Sequence, residues 1–96
     1  MRRYAVGVTD DRVNLRTRRE ILAGYIAVLD RPEKLIELCS VASDDPTELQ
    51  LAVARAFDFS PVVAEAVLSM QVRRFTPAER RRILDELAGV DAQLGQ

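Results

Sequence analysis

The side chains in this chain that could carry out chemistry are few and scattered. There is one cysteine, Cys39, and no histidine, so no nucleophile can be paired with a histidine base. Tyr4 follows two arginines, but phosphoryl transfer to a tyrosine needs carboxylates that hold Mg²⁺ and a scaffold that orients the phosphate. The sequence offers neither around Tyr4. We therefore expect no catalytic residue and interpret the protein as a non-enzyme.

Metal and cofactor sites are also not indicated. Asp44 and Asp45 are adjacent carboxylates, but Asp45 precedes Pro46, as the N-cap of a helix does, and this role accounts for it. Cys39 has no second thiol or imidazole with which to share a metal, so we interpret it as a small buried hydrophobic residue. The four glycines are scattered and form no phosphate-binding loop. We expect no metal, no cofactor and no small-molecule substrate.

A cluster of arginines is the strongest charged feature. Residues 73–82 carry five Arg and one Glu, and residues 1–19 carry six Arg and two Asp, whereas residues 20–72 carry nine acids and three bases. The cluster could contact nucleic acid, or it could be a solvated helix face with ion pairs such as Arg81–Asp85 and Arg82–Glu86. We favour the second interpretation because the net charge is −1 and Phe75 is the one aromatic residue in the sequence from 73 to 82. The candidate nucleic-acid contacts are Arg73, Arg80, Arg81 and Arg82.

Composition indicates a single domain of ordinary character. The chain has 96 residues, of which 48% are hydrophobic and 30% charged, with no Trp. The lone cysteine excludes an intramolecular disulfide and fits a reducing compartment. No apolar run approaches the length of a membrane span, and the first residues lack the apolar core of a signal peptide. We expect a cytoplasmic protein that does not bind a membrane.

Proline-marked breaks divide the chain into five predicted helices, with no strand needed. The first runs from near Asp10 or Asp11 to Asp30. We expect residues 1–11 to form an irregular or mobile arm in preference to a short strand over 4–9, because one strand has no partner in the chain. The second helix is predicted to begin at Pro32, and a capping residue followed by proline starts each of the third, fourth and fifth. These predicted helices run over about 32–41, 46–57 and 61–72, and from Pro77 onwards after a capping box of Thr76 and Glu79.

Apolar spacing predicts how these helices pack. An apolar stripe on the first helix is spaced to pack antiparallel against a coiled-coil-like seam on the fifth, which consists of Ile83, Leu87, Val90 and Leu94. The stripe consists of Ile21, Leu22, Tyr25, Ile26 and Leu29. Gly24, inside the first helix, hints at close packing. The second helix is predicted to turn one set of residues to the core, namely Leu35, Ile36, Leu38, Cys39 and Ala42.

The fourth helix is apolar on most of its perimeter, more than a domain of this size can cover. We therefore predict a symmetric homodimer in which this helix and the connection after it form part of the interface. The predicted interface residues are Val63, Ala66, Val67, Met70, Gln71, Arg74 and Phe75.

Four segments in order resemble one protein family. They are RREILAGY at 18–25, AVLD at 27–30, EKLIEL at 33–38 and AEAVLSMQVRRF at 64–75. At compatible spacing, they look like the part of the bacterial DNA gyrase A subunit, and of its topoisomerase IV counterpart, that lies beyond the DNA-cleaving domain. The resemblance covers about residues 12–94. It is an ordered series of matches and so is more specific than any single short motif.

The resemblance implies the exit gate, or C-gate, a dimerising module at the end of a long coiled coil in a type II topoisomerase. The first and last helices would be short antiparallel coiled-coil arms, with a three-helix globular head between them in a domain over residues 12–96. The sequence departs from the family pattern at Thr17, Arg18, Arg19 and Glu20, where the family usually reads Arg-Ala-His-Ile. The DNA-cleaving domain, with its tyrosine and metal-binding partner, has no counterpart here.

Three functional hypotheses remain open. The protein could be a non-catalytic homodimerisation module that interacts with the gyrase A subunit or modulates it. It could be a DNA-binding accessory protein that uses the arginine cluster, which we favour less. It could be an isolated piece of the A subunit of a DNA topoisomerase (ATP-hydrolysing). The start at Met1 and the distinct residues 1–11 favour a complete protein over a piece.

Overall fold

The chain folds into helices arranged as a long pair with a head at one end. The computed structural model describes the backbone of residues 2–95 and the side chains of residues 11–95. Within residues 2–95 there is no strand, so the all-α prediction is confirmed. The helices are α1 (Arg2–Asp30), α2 (Pro32–Ser40), α3 (Pro46–Phe57), α4 (Pro61–Leu68) and α5 (Pro77–Leu94), with a short 3₁₀ helix, Val72–Phe75, between α4 and α5.

Helices α1 and α5 pack antiparallel, as their apolar stripes predict. Leu22, Ile83 and Val90 are buried between them. The partly buried side chains around this core are Leu15, Tyr25, Ile26, Leu29, Leu87 and Leu94. Two polar contacts at opposite ends fix the direction, because Arg12 Nη2 donates to the Leu94 carbonyl at 3.2 Å and Arg80 Nη2 donates to Asp30 Oδ1 at 2.7 Å.

The head is built from α2, α3 and α4, which pack on the end of α1. Its buried core consists of Val28, Leu35, Val53, Val63, Ala64 and Val67. Lys34 ties α2 to α3, because its Nζ donates to the Ala56 carbonyl at 2.7 Å and lies 4.7 Å from the centroid of the Phe57 ring. A cation at this place also suits the negative end of the α3 dipole.

The predicted N-caps of the later helices are confirmed. The side chains of Asp45, Ser60 and Thr76 accept hydrogen bonds from the backbone N–H groups of Thr47, Val63 and Glu79 respectively. In each case proline occupies the first helical turn, where its missing N–H is not needed.

The reciprocal half of the predicted capping box does not form. The Thr76 N–H donates to the Arg73 carbonyl at 3.4 Å. The Glu79 carboxylate instead accepts from Arg82, with Oε2 and Nη1 3.1 Å apart. Because Thr76 N–H already has a backbone acceptor, Glu79 is left to pair with the arginine one turn later.

The start of the first helix and the end of the fourth differ from their predictions. Since α1 begins at Arg2, the predicted start near Asp10 or Asp11 is wrong, and residues 4–9 are helical, neither strand nor irregular. Extending a helix that is already nucleated costs little, which explains this continuation. The side chains of residues 1–10, Tyr4 among them, lie outside the described part of the structure. The mobility of the 1–11 arm therefore stays a prediction.

Helix α4 ends at Leu68, four residues before the predicted Val72. Gln71 adopts an extended conformation, with φ −75° and ψ 144°, which ends the helical path. The following 3₁₀ turn carries Phe75 back to the head core and places the Arg74 guanidinium 5.6 Å from the centroid of the Tyr25 ring. Tertiary packing of the connection therefore decides where the apolar run stops being helical.

Helix α2 buries fewer residues than predicted. Leu35 is buried and Leu38 packs against the core, but Ile36 is 66% exposed and Cys39 is exposed. The interpretation of Cys39 as a buried hydrophobic residue is therefore wrong. A helix of nine residues at the edge of the head contacts α1 and α3 on one side only, so its other side faces solvent.

Gly24 marks the closest approach of α1 to the head. A Cβ placed on this residue would lie 2.4 Å from Val63 Cγ1 and 3.7 Å from Phe59 Cε1. Carbon atoms in ordinary contact are about 3.5–4.0 Å apart. The predicted close packing at Gly24 is confirmed, and Val63 of α4 is the side chain that requires it.

Candidate interaction surfaces

The predicted interface residues divide between the core and the surface of the chain. Val63 is 3% exposed and Val67 is 2% exposed, so both side chains are used in the head's own core. Ala66, Met70, Arg74 and Phe75 are partly buried, and Gln71 is exposed. The apolar perimeter of α4 is thus largely covered by α1 and α3 within one chain.

Val62 and Val72 are the large apolar side chains that remain open along α4 and its connection. Val62 is 57% exposed and Val72 is 83% exposed. Neither was in the predicted interface, because the apolar pattern of α4 does not reveal which side its neighbours cover. A single exposed valine is ordinary on a protein surface, so these two residues alone indicate no partner.

Three of the four arginines predicted to contact nucleic acid have partners within the chain. Arg80 lies against Asp30 of α1, and Arg82 pairs with Glu79 within α5. Arg73 Nε donates to Gln71 Oε1 at 2.7 Å. Arg81 is exposed. An arginine that already pairs with a carboxylate has less positive charge available for a phosphate. These four arginines therefore differ in how well each could bind a phosphate.

The predicted Arg82–Glu86 pair within α5 gives way to a contact with α1, and Arg81 and Asp85 form no ion pair within residues 11–95. Glu86 accepts from Arg18, with Nε and Oε2 2.8 Å apart, and so does not pair with Arg82. Asp91 of α5 accepts a hydrogen bond from Arg19 of α1. These side chains are near half exposed, so each pair contributes at most about 1 kcal/mol. Their arrangement still fixes the register of the two arms.

Some of the arginines surround one open depression next to the start of α5. It is lined by Gln71, Arg73, Arg74, Thr76, Glu79 and Arg82. Glu79 offsets part of the positive charge of the arginines, and the Arg74 guanidinium lies against the Tyr25 ring. The depression therefore offers anion contacts of modest strength and no enclosed site.

A second depression lies between the end of α2 and α3. Its apolar lining consists of Leu38, Val41, Ala42, Leu49, Leu51 and Ala52. Val41 is 77% exposed and Leu51 is 45% exposed. Ser43, Glu48 and Arg55 border it with polar groups. It differs from the α4 surface because several apolar side chains adjoin one another.

Of the residues first considered for chemistry, the ones whose side chains the structure describes are not brought together. Cys39 lies exposed on α2, and Asp45 serves as the N-cap of α3, as predicted. Among residues 11–95, no group of three or more Cys, Asp or Glu side chains is placed to hold a metal ion. No helix in the described part of the chain is long and apolar enough to cross a membrane.

The fold and its surfaces define an all-helical domain in which an antiparallel helix pair carries a small head. In sequence, the chain is 34% identical over 77 residues to the DNA gyrase A subunit of Mycobacterium tuberculosis, and also to that of Mycobacterium leprae. Its counterpart from Dehalogenimonas lykanthroporepellens is 34% identical over 79 residues. These alignments cover 80–82% of this chain, so its resemblance to the DNA gyrase A subunit is confirmed.

The similarity concerns a small part of each relative. The chain spans 6–10% of the length of these gyrase subunits. No protein-family model matches the chain. What is similar is therefore a segment of the DNA gyrase A subunit.

Proposed function

We propose that this chain is a non-catalytic, cytoplasmic homodimerisation module of the type II topoisomerase exit-gate kind, which associates with the gyrase A subunit. The observation that carries the proposal is the similarity to the DNA gyrase A subunit over 80% of the chain. The arrangement of the helices supports it, because a head held by two antiparallel arms is what the exit-gate resemblance implies. On this proposal the protein acts by assembly and not by chemistry.

The packing of the arms supports an assembly role that needs a stable shape. Leu22 is 0% exposed and Ile83 is 1% exposed, so the contact between α1 and α5 is as fully buried as the core of a domain. Burying such side chains contributes about 1.5–3 kcal/mol each. The arms hold the head in a fixed position, and a surface on the head can then meet the same surface of another molecule.

Self-association is tested by analytical ultracentrifugation over a range of protein concentrations. We expect a dimer at about 50 µM that dissociates on dilution, because an equilibrium between copies follows mass action. A monomer at every concentration would contradict the homodimer. The same ionic strength in all runs keeps the screening of the exposed charges constant.

Association with gyrase is tested separately with the purified gyrase A subunit. The tagged chain should retain this partner on a resin and should also recover it from the native cell extract. A matched control is the Leu22→Ala variant, which weakens the packing of the arms and leaves the surface of the head unchanged. Loss of retention with the variant, together with retention by the parent chain, supports recognition of the folded domain. Absence of retention by the parent chain contradicts the gyrase association.

DNA binding is the second candidate function, and the depression lined by Arg73, Arg74 and Arg82 favours it. If this surface binds phosphates, affinity for duplex DNA should fall steeply with salt and should drop when Arg73, Arg74 and Arg82 become Ala. Replacing Arg18 and Arg19 of α1 with Ala gives a control that removes charge elsewhere. Equal affinity of both variants and the parent would argue against a specific arginine surface.

The remaining alternative is that the chain acts as one piece of a topoisomerase A subunit. The small share of each relative that it spans is compatible with this alternative. Reading the adjacent coding sequence tests it directly. A reading frame that continues into a DNA-cleaving domain would replace the stand-alone proposal.

A further inference from the structure

The outward side of α3 carries a stripe whose two ends bear opposite charge. Glu48, Leu51, Ala52 and Arg55 are spaced by three, one and three residues, which places them on one face of a helix. The opposite face is turned to the core, where Val53 is 0% exposed. The stripe thus lies on the solvent-facing side of α3, whose other side is packed into the head core.

The four residues of this stripe border the apolar depression between α2 and α3. Leu51 is 45% exposed, and Val41 beside it is 77% exposed. Ser43 Oγ donates to Glu48 Oε2 at 2.5 Å and so holds this carboxylate at one end of the stripe. At the other end, Arg55 is exposed and makes no ion pair with the side chains of residues 11–95. One apolar patch therefore lies between a fixed negative group and an available positive group.

This order of residues is self-complementary under two-fold symmetry. A two-fold axis midway between Leu51 and Ala52 sets two copies of α3 antiparallel. It places Leu51 of each copy opposite Ala52 of the other, and Glu48 of each opposite Arg55 of the other. A large residue then faces a small one, and a negative charge faces a positive one, in both halves of the contact. A parallel arrangement would instead place like charges opposite each other.

We propose that the α3 stripe is the surface through which two copies of this chain meet, with their α3 helices antiparallel. The inference rests on the proposed homodimer and specifies its contact. The occupant is a second copy because each group on the stripe meets its complement on an identical stripe. Glu48 and Arg55 are separated by about 10 Å along the helix, so the two ion pairs flank the apolar centre. Val41 and Leu38 widen that centre beyond the helix itself.

Charge reversal tests the pairing without removing apolar area. The Glu48→Arg variant carries positive charge at both ends of the stripe, and the Arg55→Glu variant carries negative charge at both ends. Alone, each variant should dimerise at least about tenfold more weakly than the parent chain, because like charges then face each other. Mixed in equal amounts, the two variants should form a heterodimer with affinity near that of the parent. The double variant should recover as well.

Sedimentation of the separate and mixed chains measures these affinities, and thermal unfolding confirms that each variant is folded. Glu65→Arg on the exposed side of α4 and Arg81→Glu on α5 are the matched controls, and they should leave dimerisation within about twofold. A parent that dimerises while the stripe variants behave like these controls overturns the α3 contact and leaves the homodimer intact. A parent that is monomeric throughout overturns both. A mixture that fails to recover also overturns the antiparallel pairing.

Discussion

Replacement of Gly24 by alanine tests the close approach of α1 to the head. In an exposed helix this change stabilises the helix by about 1 kcal/mol, because alanine loses less conformational entropy on folding. At Gly24 the new methyl group would lie 2.4 Å from Val63 Cγ1. We therefore expect the gain from helix propensity to be offset or exceeded by the cost of overpacking.

The size of that cost follows from how little Val63 can move. Restoring an ordinary carbon contact of about 3.5 Å requires the two atoms to separate by roughly 1 Å. Val63 is 3% exposed, and a valine in a helix is nearly restricted to one rotamer. Inserting a methyl group into such a core costs about 1–3 kcal/mol. The net change for Gly24→Ala is therefore a loss of about 0–2 kcal/mol.

Gly89 provides a matched control in the middle of α5. No atom lies within 4 Å of a Cβ placed there, apart from its own helix and chain neighbours. Gly89→Ala should thus raise the free energy of unfolding by about 1 kcal/mol. Urea unfolding of the parent and both variants, followed by circular dichroism at one protein concentration, measures the difference between the two sites. That difference should be about 1–3 kcal/mol, which is the overpacking cost.

A second substitution assigns the cost to Val63. In the Gly24→Ala, Val63→Ala double variant the added methyl group enters the space left by the valine, so the two changes should be less costly together than their sum. If Gly24→Ala stabilises the protein as much as Gly89→Ala does, the reasoning about this contact is refuted. Additive effects in the double variant would show that the cost arises elsewhere.

Further substitutions probe the arm seam, a cap, a turn and a surface ion pair, each measured by the free energy of unfolding. Leu22→Ala should cost about 2–5 kcal/mol, since the side chain is 0% exposed, and a loss below about 1 kcal/mol would contradict its burial. Thr76→Ala should cost about 1 kcal/mol by removing the acceptor of the Glu79 N–H. Asp58→Gly should be neutral or stabilising by up to about 1 kcal/mol, since Asp58 has φ 59°; a clear loss would contradict this. Arg18→Ala should cost less than about 1 kcal/mol, and less still in high salt.

The arms could be predicted from the sequence because their information is local and periodic. Leu22 and Ile83 belong to stripes whose spacing fixes both the helical state and the buried side. The starts of α3, α4 and α5 were equally accessible, since Asp45, Ser60 and Thr76 each combine a capping side chain with a following proline. These features depend on residues within a few positions of one another.

The head was harder to predict, because which of its side chains are buried depends on which helices pack against one another. The pattern of α2 suggested a buried Cys39, but nothing packs over that side of the helix, and the thiol is exposed. The pattern of α4 suggested apolar residues in excess, but α1 and α3 cover Val63 and Val67 within one chain. The α3 stripe was not predicted, because Leu51 taken alone does not show which side of α3 the head leaves uncovered. The charges of Glu48 and Arg55 at its two ends were the signal that could have identified it.

The pairing of α1 with α5 has a consequence for the order in which the chain folds. Within the head, the contacts of α2 with α3 and of α3 with α4 join helices that follow one another along the sequence, so they can form early and locally. The arm contacts join residues far apart, as between Arg12 and Leu94, 82 positions away. During synthesis the part of the α1 stripe that packs on α5, with Leu22, Ile26 and Leu29, therefore stays open to solvent until α5 has left the ribosome. In that interval Leu22 and its neighbours form an exposed apolar surface that can associate with other unfolded chains or bind a chaperone.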